Sequence, residues 1–129
     1  MGYSTWASQR EDEAVLLFEV KGKAEQTRSG EDAATWSRVY QLNDYFLDLS
    51  CLYRNHKAEL VGQLTARQRF ELDRPAQLRL VDTRHQVQDM NLDSWGHFRF
   101  ELLPGQDYAL EVAIEHQPKA MVSIPNPVS

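Results

Sequence analysis

Apolar and polar positions alternate with a period of two along most of this chain, which is the signature of half-buried strands rather than helices. Over residues 45–53, Tyr45, Leu47, Leu49, Cys51 and Tyr53 share one face, against Phe46, Asp48, Ser50 and Leu52 on the other. Ala58, Leu60, Gly62 and Leu64 repeat the pattern over residues 58–65, after turn residues 54–57, so the two runs predict a hairpin. Residues 67–72 alternate weakly through Phe70 and Leu72, and residues 77–81 turn Leu78 and Leu80 inward. A short strand is expected around residues 85–88. Phe98, Phe100 and Leu102 form the next run, followed by Tyr108, Leu110, Val112 and Ile114. Between those two runs Pro104 fixes one φ, Gly105 permits a positive one and Asp107 can bond to nearby backbone, so a second hairpin is predicted there. Ala120, Val122 and Ile124 lie between Pro118 and Pro125, and proline at both ends of a run suits an edge strand.

Residues 1–43 are less regular. Residues 14–20 carry Leu16, Phe18 and Val20 on one fully apolar parity, which favours a strand, although the acidic lead of residues 10–13 also fits a short helix. Residues 21–35 do not alternate and read as a loop. Trp36, Val39 and Tyr40 have helical spacing, while Val39 with Gln41 suits a strand. The expected organisation is therefore an N-terminal segment, residues 1–43, that packs on or extends the main body. A β-module follows over residues 44–125, with a tail at 126–129. The expected fold class is all-β: an antiparallel β-sandwich of seven or eight strands. Its core is the face carrying Leu47, Leu49, Leu60, Leu64, Leu78, Leu80, Phe98, Phe100, Tyr108, Leu110, Val112 and Ile114. Gly62 in mid-strand signals a bulge or a close backbone approach.

Composition narrows the function classes. The 129 residues are 42% hydrophobic and 26% charged, which suits a folded chain with a real core. A net charge of −5 argues against nucleic acid as a partner. Arg67 lies near Arg69, and Arg74, Arg79 and Arg84 follow, but Glu71, Asp73 and Asp82 are interleaved, so a solvated mixed face is expected. The single cysteine, Cys51, excludes an internal disulfide and falls on an apolar face, where a thiol is inert. Residues 1–13 have neither the basic start nor the apolar core of a secretory signal, and no apolar run has the length of a membrane-spanning helix. A cytoplasmic location is the expectation, with no membrane partner.

Candidate chemistry is sparse. Asp89, Asn91 and Asp93 imitate the opening of a calcium loop, but Ser94 stands where glycine is needed and Phe100 where a bidentate glutamate is needed. The expected role of Asp93 is instead to bond following backbone amides, with Gly96 adopting a conformation closed to side-chain-bearing residues. His56, His85, His97 and His116 form no short spaced pair, so no metal site is expected. No nucleophile elbow and no phosphate loop is present, and no catalytic or cofactor-binding residue is assigned. Trp95 in a turn, with His97, Trp36 and Tyr40, makes the set of residues expected to contact a ligand or partner, sugar included, because aromatics on sandwich faces can stack on such groups.

From residue 44 onward the order of parts resembles a prealbumin-like (transthyretin-like, carboxypeptidase-regulatory-like) sandwich. The resemblance lies in Val61, Gly62, Gln63 and Leu64; in Leu78 to Val81; in Asp93, Gly96, Phe98 and Phe100; and in Pro104, Gly105, Tyr108, Leu110 and Val112, with one extra residue between Gly105 and Tyr108. More narrowly, residues 59–64, 78–82 and 16–19 are similar to the β-modules of small bacterial proteins encoded beside alternative sigma factors or their anti-sigma partners. That likeness implies an accessory, regulatory role rather than catalysis. The transthyretin-like ureide hydrolase needs a tyrosine-arginine-glycine-serine tail, and residues 125–129 depart from it. The expectation is a non-enzymatic module without cofactor, whose partner is another protein or a second copy of itself as a homodimer. A carbohydrate-binding module is the rival. Outward apolar positions, Phe46, Leu52, Val61, Val81 and Ala113, and the need to cover edge strands motivate self-association.

Overall fold

The computed structural model describes residues 14–21, 33–54, 57–69 and 71–125. Among them are nine strands and no helix: β1 (Val15–Lys21), β2 (Ala33–Leu42), β3 (Tyr45–Arg54), β4 (Lys57–Ala66), β5 (Ala76–Asp82), β6 (Val87–Asn91), β7 (His97–Leu102), β8 (Tyr108–Ile114) and β9 (Ala120–Ile124). They form two antiparallel sheets, one of five strands in the order β1-β2-β3-β4-β7 and one of four in the order β6-β5-β8-β9. The count exceeds the seven or eight expected. Residues 14–20 and 36–41 resolve to strand rather than helix, and β1 and β2 extend the five-stranded sheet past β3.

Every expected core position is buried. The inner faces also hold Trp36, Tyr40 and Leu42 from β2, Tyr45 and Cys51 from β3, Leu102 from β7, and Ala120, Val122 and Ile124 from β9. Alternation is cleanest in β7 and β8, where buried residues recur at every second position. The β3–β4 hairpin forms as expected, with Leu47 opposite Leu64 and Cys51 opposite Leu60. β9 is an edge strand beside β8, also as expected.

The second predicted hairpin does not form. β7 pairs with β4, placing Phe100 opposite Leu60, whereas β8 pairs with β5 and β9, placing Leu110 opposite Leu80 and Val122. Residues 103–107 carry the chain from one sheet to the other. Two packed sheets lie about 10 Å apart, a gap that five residues span easily. The Leu103 backbone N–H donates to the Tyr108 hydroxyl at 2.8 Å and pins this crossing. The described residues among 67–72 are not a strand either: Arg67 and Gln68 form a turn closed by the Arg69 N–H donating to the Ala66 carbonyl at 3.3 Å, and residue 70 lies outside the described residues.

Gly62 marks a close approach and not a bulge. Register runs unbroken through it on both sides, opposite Leu49 and Phe98. A Cβ there would lie 2.6 Å from the Phe98 ring and would also meet the Asp48 carbonyl. The ring of Phe98 thus occupies the space a side chain would need. Asp82 is the one buried charged residue among those described, and its carboxylate accepts from the backbone N–H groups of Arg84 and Gln86, both at 2.9 Å.

Candidate functional site

The least conventional element is β1. All seven of its residues are exposed, and five of them, Val15, Leu16, Leu17, Phe18 and Val20, are large and apolar, with Phe18 at 58% exposure. β1 pairs with β2 along one edge, and among the described residues nothing pairs with the other. Its faces are also uncovered. The indole N–H of Trp36 on β2 donates to the Pro125 carbonyl just past β9 at 3.1 Å. The edge of the four-stranded sheet therefore lies beneath β2, and β1 overhangs it.

A register shift between Leu16 and Phe18 redistributes the side chains of β1. Leu16 stands opposite Tyr40 and Glu19 opposite Arg38, on the core side of the sheet, while Phe18 opposite Val39 and Val20 opposite Ser37 lie on the outer side. Arg38 closes the rim of the core between them. Its guanidinium meets the Glu19 carboxylate at 2.8 Å, donates to the Tyr40 hydroxyl at 3.1 Å, and sits 5.1 Å from the centre of the Trp36 ring. A cation over an indole face is attracted by the ring quadrupole, so this polar cap tolerates a charged residue on an otherwise apolar face.

The expected contact residues do not converge. Trp36 and Tyr40, at 6% and 7% exposure, belong to the core, because the period-two run Trp36, Tyr40, Leu42 faces inward. Trp95 lies just before β7 and His97 opens it, both exposed, and the Gln63 side-chain amide donates to the Trp95 carbonyl at 3.0 Å. β2 and β7 are separated by β3 and β4 in the sheet, so the two pairs of residues lie apart. Asp93 does what its sequence position suggests: its carboxylate accepts from the Trp95 and Gly96 backbone N–H groups at 3.0 and 2.8 Å. Asp89 faces Arg79 at 2.9 Å. Among the described residues no cluster of three or more His, Cys, Asp or Glu forms a ligand set. His85, His97 and His116 are exposed, and His56 lies outside the described residues.

One end of the sandwich holds a polar cleft of about 280 Å³. It is framed by the β2–β3 turn, the segment after β4, the segment before β5 and the β8–β9 turn, which supply Asp44, Arg67, Arg69, Asp73, Arg74 and Gln117. Tyr45 forms part of its wall and donates its hydroxyl to the Asp73 carboxylate at 2.6 Å. Burial, with that carboxylate second, pushes the Tyr45 phenol up to about 12, and the same hydrogen bond holds Asp73 below the usual carboxylate range. The sequence left the arginines as one mixed face. In the fold Arg79 goes to the four-stranded sheet beside Asp89 and Glu111, while Arg67, Arg69 and Arg74 gather at the cleft. No local sequence signal distinguishes the two groups, since irregular chain at residues 71–75 separates Arg74 from the turn after β4.

The Tyr45 shift has a measurable consequence. A phenol whose folded pKa lies above its unfolded value stabilises the fold fully below pH 10 and loses that contribution as pH rises from about 10 toward about 12. The stability advantage of the natural protein over Tyr45→Phe is therefore expected to shrink across that window, as read from urea midpoints at pH 8 to 12. A constant difference would show that the phenol is not perturbed.

No protein-family model, no curated protein and no solved structure matches this chain.

Proposed function

We propose that this chain is a non-enzymatic interaction module and that β1 is the element through which it associates, with a second copy of the chain as the occupant. The observation that carries this reading is the solvent-exposed, mostly apolar edge strand described above. An unpaired edge is a template for a further strand, and soluble proteins ordinarily blunt such edges with charge, proline or a covering element. Here the unpaired backbone groups coincide with apolar side chains on both faces, so one added strand satisfies the hydrogen bonds and removes apolar surface from water together.

A second copy fits by pattern. Two β1 strands related by a two-fold axis through Phe18 pair antiparallel around that residue. Phe18 then faces Phe18 on the outer side with Val20 flanking it, while the register shift at Leu17 leaves Leu16 on the core side. Apolar residues meet at the centre and no like charges oppose, which is the condition for favourable cross-strand pairs. Such pairing is isologous and closes on itself, leaving no sticky edge on that side. The sheets would join into one continuous antiparallel sheet across the two chains.

The prealbumin-like reading of residues 44–125 is part of this proposal. The residues that carry it fall on β4, β5, β7 and β8 and on the turns before β7 and β8, spread across two facing antiparallel sheets. The similarity to modules encoded beside sigma factors supports an accessory, regulatory setting in the cytoplasm, and residues 16–19 of that likeness lie in β1 itself. The carbohydrate-binding reading loses support, because Trp36 and Tyr40, the aromatics singled out beside Trp95, are buried.

Sedimentation velocity tests the proposal. At roughly tens of micromolar, where mass action favours association, the natural protein is expected to sediment as a dimer. Phe18→Lys, an exposed substitution that puts charge on the edge, is expected to give a monomer with an unchanged circular dichroism spectrum. A monomeric natural protein, or a Phe18→Lys variant that remains dimeric, would overturn self-pairing through β1.

A further inference from the structure

We propose that the cleft formed by Arg67, Arg69 and Arg74 binds a small ligand through an oxyanion, either a phosphate group or a carboxylate. The arginines of this protein divide into two kinds. Arg38, Arg79 and Arg99 each meet a carboxylate oxygen at 2.8 or 2.9 Å. Among the described residues, Arg67, Arg69 and Arg74 have no such partner within 4.0 Å, although they surround one cavity. In a chain of net charge −5, three guanidinium groups outnumber the two carboxylates, Asp44 and Asp73, at this cleft, a local inversion of sign. A guanidinium presents its donors in a planar fork that matches the oxygens of a phosphate or carboxylate, and such bonds are shorter and stronger than neutral ones.

The surroundings narrow the ligand further. The volume, about 280 Å³, admits a small molecule and not a folded partner. The frame is held in place: the Arg67 N–H donates to the Asp44 carbonyl at 2.7 Å, and Arg74 reaches the Glu115 carbonyl through one guanidinium nitrogen at 3.4 Å, leaving its other donors available. Asp44 and Asp73 also line the cleft, and Asp73 is engaged by Tyr45. Three guanidiniums suffice for one oxyanion, and the two carboxylates beside them can accept from hydroxyl or ammonium donors elsewhere on the ligand. Loops at one end of a sandwich, positioned by rigid sheets, are where such sites are commonly built.

Titration of the isotopically labelled full chain, followed by amide NMR shifts at constant ionic strength, tests this with two probes: inorganic phosphate and succinate. Saturable shifts are expected at residues 44, 45, 66–69, 73, 74 and 117. Arg69→Ala and Arg74→Ala are each expected to weaken binding by about tenfold, as loss of a charge-assisted pair does. Arg69→Lys, which keeps the charge and loses the fork, is expected to weaken it less. Arg99→Ala, on the outer face and paired with Glu59, serves as the control and leaves binding unchanged. Saturation by phosphate alone identifies a phosphate-bearing ligand, and saturation by succinate alone a carboxylate. Shifts that stay linear with both probes overturn the proposal, as does saturation that neither Arg69→Ala nor Arg74→Ala weakens. No residue of β1 lines the cleft, so the Phe18→Lys variant is expected to bind as the natural protein does, whatever its oligomeric state.

Discussion

Replacing Gly96 with alanine is expected to destabilise the fold by roughly 2–5 kcal/mol, the sum of a left-handed backbone penalty and an overpacking penalty. Gly96 holds φ at +71°, a region that a Cβ disfavours. Its position is determined twice over. The Asp93 carboxylate accepts the Gly96 N–H at 2.8 Å, and the Gly96 carbonyl accepts the Leu64 N–H at 2.9 Å. A Cβ on Gly96 would run into the Leu64 carbonyl, which is main chain of β4, paired on both sides, and cannot swing aside as a side chain can. Gly105 supplies the comparison. It also has a positive φ, +77°, but its added Cβ would meet nothing within 4 Å. Gly105→Ala is expected to carry only the backbone penalty, about 1–2 kcal/mol. Urea unfolding of the two variants separates the terms, and equal losses would show that the Leu64 contact does not matter.

Leu110→Ala is expected to cost about 2–5 kcal/mol, the range for truncating a fully buried leucine whose cavity relaxes only in part. Leu110 is 0% exposed and sits in β8 between Leu80 of β5 and Val122 of β9, so neighbours on both strands hold the cavity open. Val87 on the edge strand β6 is 47% exposed, and Val87→Ala is expected to stay within about 0.5 kcal/mol. Whole domains of this size are stable by only about 5–15 kcal/mol, so Leu110→Ala removes a large share. A loss below about 1 kcal/mol would mean that the core at β8 repacks far more freely than cores of this kind do.

Much of the fold was legible in the order of residues, and the failures are instructive. A strand needs only local alternation to declare which face is buried, so the inward positions of β3, β4, β5, β7 and β8 were readable one by one. β2 was harder because Arg38 interrupts the run Trp36, Tyr40, Leu42. Only the tertiary contacts to Glu19 and the Trp36 ring show why a cation is tolerated there. β1 resisted for a different reason. Its register shift at Leu17 moves the side chains from one parity to the other, and with both faces exposed there is no burial to select a parity.

The candidate sites divide in the same way. Asp93 and Gly96 act within four residues of one another, and their roles followed from side-chain reach and backbone sterics. Trp36 and Tyr40 were expected to contact a partner because an aromatic side chain suits a core or a binding face equally well, and burial alone decides between them. The cleft arginines come from segments on either side of residue 70, and an arginine in a close carboxylate pair is distinguishable from one outside such a pair only when distances exist.

The sequence by itself determined that the fold is all-β and which side of β3, β4, β5, β7 and β8 is apolar, because these follow from a period of two and from turn residues acting locally. The tertiary structure decided which strands are neighbours, that β7 and β8 part into different sheets, that β1 is left at an open edge, and that three arginines meet at one end. The physical reason is that alternation encodes a face but not a neighbour. Pairing and proximity are set by how two sheets share one core, and that is a property of all the strands together.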